Sequence, residues 1–364
     1  MYLKSIFLKN FRNYNELELT LHPEINIIYG NNAQGKTNLL ESIYVLGLTK
    51  SHRSFIDNNL IKKNEKYSRI TGKLNRNNID SKFEIILDKN KTLMIDEDII
   101  KKSSDYISNI NIIIFYPDDL DLIKGNPSIR RRFINLELSQ LYSNYLVILN
   151  DYNKLLKMRN DYLKQIDICF DSSYFEILTN YLIDKAIIIY KMRNKFINKL
   201  NSYTEKIYKD ISTIDKFHIN YKTGLHIESF ETNELKKQLI QEYNNALEND
   251  KKYKTTTIGP HKDDLEFYID KFNIKTYGSQ GQQRMAVLAI KLAEIEIFKN
   301  YKQDTPILLL DDVFSELDDQ KKNNLLKYID SGIQTIITTT DLNNIDNDII
   351  NKSKLIQINN GNII

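Results

Sequence analysis

Gly30-Asn31-Asn32-Ala33-Gln34-Gly35-Lys36-Thr37 matches the pattern G-x-x-x-x-G-K-[ST] at every position. A short apolar run, 24–29, leads into it, and an amphipathic helical pattern, Thr37 to about Leu48, leads out. Strand, glycine-bounded loop and helix in that order give the motif its chemistry. The glycines let backbone N–H groups curl around phosphate oxygens, and the helix N-terminus adds its dipole. Lys36 is the candidate partner of the β- and γ-phosphates and the candidate catalytic cation. Thr37 is a candidate Mg²⁺ ligand through its hydroxyl. Gly30, Asn31, Asn32, Ala33, Gln34, Gly35, Lys36, Thr37 and Asn38 are the expected nucleotide-binding residues.

A second stretch supplies the acid side of such a site. Ile307-Leu308-Leu309-Leu310-Asp311-Asp312 reads as a buried strand ending in two carboxylates. At the C-terminal edge of a parallel sheet these point into the ligand crevice. Asp311 is the expected metal residue and Asp312 the residue that orients or deprotonates an attacking water. Upstream, Ser279-Gln280-Gly281-Gln282-Gln283-Arg284 precedes a helical pattern, and downstream comes Ser315-Glu316-Leu317-Asp318. This order of motifs resembles the heads of ABC-type ATPases. The resemblance implies that the serine stretch of one protomer (Ser279, Gln280, Gly281, Gln282) caps a phosphate held by the other. Ser315 and Asp318 then fall in a loop at the dimer interface, and ATP holds two copies together. Taken alone, Ser279 is also an ordinary helix cap.

The interval between Thr37 and Ile307 is too long for a compact transporter head. It holds helical patterns at 133–156 and 174–208, the second about 50 Å long if continuous. The expected organisation is an α/β ABC-type P-loop head with a mixed sheet, built from 1–118 and 254–364. A helical arm, 119–253, interrupts it. Near the start, Asn10-Phe11-Arg12-Asn13-Tyr14 places Arg12 where it is expected to reach nucleotide phosphate. This arrangement resembles the heads of chromosome-maintenance and double-strand-break repair ATPases.

Phe115-Tyr116-Pro117-Asp118-Asp119-Leu120, Gly125-Asn126-Pro127-Ser128-Ile129-Arg130-Arg131-Arg132-Phe133 and Thr257-Ile258-Gly259-Pro260-His261-Lys262-Asp263-Asp264-Leu265 narrow the match. With 277–284 and 311–318 they resemble the RecF family of bacterial DNA replication and repair proteins. The resemblance implies a cytoplasmic ATP-dependent homodimer that binds double-stranded DNA and gapped junctions and hydrolyses ATP slowly, stimulated by DNA. It implies work with RecR, and with RecO through RecR, to load RecA in recombinational repair, replication restart and the SOS response. The chain departs from the pattern at three places. Lys262 stands where Arg is expected, keeping charge but losing a bidentate fork. Asp312 is shorter than the usual Glu, and Asp341 follows the strand 336–340 where no His senses phosphate. The glutamine-loop residue has no evident position.

Arg130, Arg131, Arg132 and Lys262 are candidate DNA contacts, with Lys251, Lys252 and Lys254, because backbone phosphates require only positioned positive charge. For the three arginines a solvated helix start or an interprotomer ion pair is an equal reading. Arg130 and Arg132 do not share a helix face. His261 reads either as a phosphate contact or as a structural histidine, and His52-Arg53 either lines the nucleotide or DNA face or does not. The tyrosine-rich helical stripes read as core.

Composition bounds the rest. Net charge is +3, too small to indicate nucleic-acid binding by itself, and Cys169 is the only cysteine, so an intrachain disulfide and a C-x-x-C metal site are excluded. Residues 1–9 lack a signal-peptide run and no segment approaches the length of a membrane span, so a cytoplasmic protein with no membrane partner is expected. An energy-coupling subunit of a transporter is the alternative from another class. A nuclease with an ABC-type head is disfavoured, for want of a metal-rich second domain.

Overall fold

The structure is a computed structural model, which describes the chain except residues 55, 166–170, 213–215, 303, 316–321, 323–324 and 326–331, and the side chains of 315 and 344. Asp318 and Cys169 therefore lie outside the described residues, and for Ser315 only the backbone, in a 3-10 turn Val313–Ser315, is described. Two compact units emerge, 1–119 with 288–364, and 120–287. The first break agrees with the sequence expectation and the second does not. Residues 254–287, expected in the head, fold with the inserted unit. The reason is long-range pairing: Asp264–Ile269 forms an antiparallel ladder with Phe217–Lys222.

The first unit holds two six-stranded sheets. One is antiparallel, in the order Tyr14–Thr20, Tyr2–Phe11, Ser68–Arg76, Ile79–Leu87, Lys91–Ile95, Asp98–Ile99. The other runs Asn362–Ile363, Ser353–Asn359, Ile25–Tyr29, Thr335–Thr339, Ile307–Asp311, Ile112–Phe115. All its pairings are parallel except the hairpin of its first two strands. Continuous apolar runs such as Ile307–Leu310 and Ile112–Phe115 are what a parallel strand covered on both faces demands, and they are buried throughout.

The helix Lys36–Leu48 contacts strands of both sheets. The expected amphipathic helix is in fact buried around nearly its whole circumference, as a helix with sheet neighbours on two sides must be. Gly47 shows how close the packing is, since a Cβ there would meet Ile112 Cδ1 at 2.4 Å. Gln334 stitches the two sheets together. Its side chain accepts from Leu3 N–H at 2.7 Å and donates to the carbonyls of Leu3 and His22 at 2.8 and 2.9 Å.

The second unit contains the helices Pro127–Leu141, Tyr145–Lys164, Ser172–Ile211, Thr232–Asn245 and Leu247–Tyr253, together with a three-stranded sheet. The expected helical patterns match the first three. The sheet was not foreseen, so the unit is not wholly helical. Asp171 caps the 40-residue helix by accepting from Ser173 and Tyr174 N–H. The tyrosine stripes are core at Tyr145, Tyr152, Tyr190 and Tyr208, which are buried, whereas Tyr174 and Tyr181 of the long helix are exposed. Buried ion pairs Arg193–Asp263 and Arg159–Asp250 tie helices to the 250–263 segment at 2.8 and 2.7 Å. No helix among the described residues is long and apolar enough to cross a membrane.

A phosphate-loop candidate site

The loop 30–35 adopts backbone that its glycines permit. Gly30 and Gly35 have φ of 149° and 115°, and Ala33 has φ 63°. A Cβ on Gly30 would meet the Ile358 carbonyl oxygen at 2.3 Å, and one on Gly35 would meet Asn13 Nδ2 at 2.6 Å. Glycine is thus required at both positions by conformation and by space. Lys36 Nζ donates to the Gly30 and Asn31 carbonyls at 2.7 and 2.8 Å, folding the ammonium back over the loop. Burial lowers its pKa from 10.5, a shift the charges of Asp312 and Asp311 oppose.

The acid side meets this loop directly. Asp311 closes its strand as a buried residue, and Thr37 Oγ1 donates to its Oδ1 at 2.9 Å. Thr338, on the adjacent parallel strand, donates to the same oxygen at 2.7 Å. Hydroxyl and carboxylate oxygens brought together in this way are the hard donor set that suits Mg²⁺. Asp312 follows in left-handed backbone, φ 53°, and its N–H donates to Thr338 O and Oγ1 at 3.2 and 3.1 Å. Aspartate tolerates that conformation better than longer side chains do, because its short carboxylate bonds locally.

The N-terminal hairpin supports the loop in an unforeseen way. Tyr14, buried beneath it, donates from its hydroxyl to the Gly35 carbonyl at 2.9 Å, and burial pushes its phenol pKa up. Asn13 donates to the Gln34 carbonyl at 3.3 Å and accepts from Asn38 Nδ2 at 2.8 Å. Arg12, expected to meet phosphate, forks onto the buried Glu41 in the single chain, with Nε and Nη2 at 2.8 and 2.7 Å from the two oxygens, and Nη1 reaches the Asn59 carbonyl. A carboxylate with no exposure needs a charged partner, and this takes the guanidinium. Burial of Glu41 opposes ionisation, but hydrogen bonds from Arg12 and Ser51 outweigh it and its pKa is lowered. Arg53 donates to Asn38 Oδ1 at 3.0 Å, so it adjoins the helix that follows the loop. His52 packs between the rings of Tyr44 and Tyr116.

In the second unit, Ser279 opens the helix Gln280–Lys302 with a reciprocal cap. Its Oγ accepts from Gln282 N–H at 3.2 Å, while Gln282 Oε1 accepts from Ser279 N–H at 2.9 Å. The cap reading of Ser279 therefore holds in the single chain. Ser279, Gln280 and Gly281 are nonetheless exposed, and a Cβ on Gly281 would touch nothing closer than Ser279 Oγ at 3.9 Å.

The arginine cluster divides. Arg130 is 3% exposed, forks onto Asp264 at 2.6 and 3.0 Å and donates to the Gly125 carbonyl, so it is a structural residue closed to nucleic acid. The sequence gives no local sign of this, because its partner lies 134 residues away. Arg131 donates to the Asp263 carbonyl at 2.8 Å, and Arg132 is half-buried on the same helix. Lys262, Lys252 and Lys254 are exposed. His261 is structural: its ring bonds the Tyr152 hydroxyl at 2.7 Å and the Thr256 carbonyl at 3.1 Å. Burial lowers its pKa to about 4.

Residues 2–361 match the family described as the RecF/RecN/SMC N terminal domain. The chain is 39% identical over 369 residues to the DNA replication and repair protein RecF of Ligilactobacillus salivarius (strain UCC118), covering all of this chain and 97% of that one. It is 40% identical over 370 residues to the RecF of Staphylococcus epidermidis (strain ATCC 12228 / FDA PCI 1200), covering all of both. A solved structure of the recombination mediator protein RecF with ATP, from the RecFOR pathway, superposes with a TM-score of 0.92 at 34% identity, over all of this chain and 97% of that one. An Smc head bound to the C-winged helix domain of ScpA superposes at 0.56 with 16% identity, which supports the ABC-type head fold alone.

Proposed function

The chain belongs to the RecF family, whose members are DNA replication and repair proteins, and on that premise we propose that it is an ATP-gated DNA clamp made of two copies. The observation that carries the reading is the meeting of Thr37 and Asp311 beside the glycine-framed loop, with Lys36 folded over it. Backbone N–H groups of 31–36 would hold the phosphates of ATP, and Lys36 would neutralise their charge. Thr37 and Asp311 would hold Mg²⁺, which supplies Lewis-acid charge at the phosphates when bound. Asp312 orients the attacking water and takes its proton.

Exposure of Ser279, Gln280 and Gly281 supports a further part of the reading, that this helix start serves the partner's nucleotide. In the free chain the serine hydroxyl caps its own helix. In the dimer the same N-terminus would present N–H groups to an anion from the second protomer. ATP then stabilises the dimer by binding it in preference to the monomer. Slow hydrolysis, stimulated by DNA, returns the chains to monomers. The DNA is duplex or a gapped junction, held through backbone phosphates by exposed lysines that include Lys262, with no base readout. The complex acts with RecR, and through it RecO, to load RecA in recombinational repair, replication restart and the SOS response.

Binding of duplex, single-stranded and gapped DNA, with and without ATP and Mg²⁺, tests the proposal. Wild type binds duplex and gapped DNA at least tenfold more tightly with ATP, and Lys36→Arg loses that gain. Asp312→Asn, which suits the left-handed backbone equally well, keeps the ATP-dependent complex and prolongs its life by slowing hydrolysis. DNA binding indifferent to nucleotide in all three proteins would contradict the proposal.

A further inference from the structure

The phosphate loop is held from a side that its motif does not reveal. The turn between Ser353–Asn359 and Asn362–Ile363 sits against Gln34. Gly361 N–H donates to the Gln34 carbonyl at 3.0 Å, and Asn360 N–H donates to Gln34 Oε1 at 2.5 Å. Asn360 and Gly361 have φ of 48° and 75°, so the turn is a left-handed pair that aims two successive N–H groups in one direction. A Cβ on Gly361 would come to 3.2 Å from Asn13 Nδ2, the same group that donates to the Gln34 carbonyl. Two residues before the turn, the Ile358 carbonyl occupies the space where a Gly30 side chain would be. The loop thus packs closely against 358 at its first glycine and is hydrogen-bonded at Gln34 by 360, 361 and 13.

We propose that the Asn360-Gly361 turn is a positioning element of the nucleotide site, fixing the curl of the phosphate loop by holding both oxygens of Gln34. The inference rests on the reading of 30–37 as an ATP site. A loop that wraps phosphate with backbone N–H groups must have its carbonyls turned outward, and outward carbonyls need partners. The Gln34 carbonyl meets that requirement with Gly361 N–H, from far along the chain, and with Asn13 Nδ2. The Gln34 side chain contributes to the shape of the loop by reaching away to the turn. Coupling is reciprocal: if the turn favours the phosphate-binding curl, bound nucleotide must favour the turn by the same factor.

Amide hydrogen exchange on the wild-type protein, with and without ATP and Mg²⁺, reads the second half of that statement. Exchange at Asn360 and Gly361 slows at least tenfold with ATP, alongside the loop amides themselves. Titration calorimetry of ATP against Gln34→Ala, Gly361→Val and the double variant reads the first half. Each single change weakens ATP binding about tenfold, and the double change weakens it by much less than the product, since the two hydrogen bonds they disturb join the same turn to the same loop residue. Should Gly361→Val fail to fold, Gln34→Ala and the wild-type exchange data still decide. Turn amides indifferent to ATP, or full ATP affinity in Gln34→Ala, overturns the inference and leaves the ATP site standing. A wild-type chain that does not bind ATP overturns both.

Discussion

Asp311 Oδ1 accepts two hydroxyl hydrogen bonds, one from Thr37 at 2.9 Å and one from Thr338 at 2.7 Å. The first comes from the helix that follows the phosphate loop and the second from the neighbouring parallel strand, so one carboxylate oxygen joins both halves of the site. Thr338 also receives the Asp312 N–H, which makes it the common support of the two acidic residues. Thr338→Val keeps the shape and β-branching of the side chain while removing both bonds. The expected cost is about 1–2 kcal/mol of folding stability, from the loss of two side-chain hydrogen bonds, while Thr37 still bonds Asp311 and the Thr338 carbonyl still takes the Asp312 N–H. Mg²⁺-dependent ATP binding should weaken about tenfold. Urea unfolding and calorimetry measure the two effects separately.

Arg130 and Lys262 should respond oppositely to mutation, although the sequence presents both as candidate DNA contacts. Arg130→Ala leaves Asp264 without its fork and should destabilise the protein by about 3 kcal/mol, the low end for breaking a buried pair, because Asp264 keeps 20% exposure. Lys262→Ala should leave the unfolding midpoint within about 0.5 kcal/mol of wild type. It should weaken duplex binding and lower the slope of log affinity against log salt by about 1. Chemical denaturation and fluorescence anisotropy over a salt series distinguish them.

His261 makes stability depend on pH in a known direction. Burial holds its pKa at about 4 against an ordinary 6.5, so the folded chain binds fewer protons here than the unfolded chain does. Its contribution is complete above about 6.5 and is lost as pH falls toward about 4. Asp119 works against it, since burial lifts its carboxyl pKa to about 6. The comparison is therefore between wild type and His261→Asn. The urea midpoint of wild type should fall more steeply than that of the variant between pH 6.5 and 4.5.

What could be read without coordinates was local. The phosphate loop, the strand ending at Asp311 and the capped helix at Ser279 are each specified by adjacent residues, and each forms as expected. What escaped was set by partners far along the chain. Glu41 gives no local sign that it is buried and that it holds Arg12 in a fork. Asp264 does not reveal that it takes Arg130, and the pairing of 217–222 with 264–269 moves the end of the inserted unit to 287. The turn at 360–361 has a common turn composition, and nothing nearby connects it with Gln34.

Mixing two defective chains tests the shared site most directly. Lys36→Ala spoils the phosphate loop and keeps the serine helix, whereas Ser279→Arg spoils the serine helix and keeps the loop. With ATP and Mg²⁺, sedimentation velocity should show each variant alone as a monomer and the equimolar mixture forming a dimer through its one intact composite site. A mixture that stays monomeric while the Ser279→Arg chain is saturated with nucleotide, or a Ser279→Arg chain that dimerises by itself, would contradict the account.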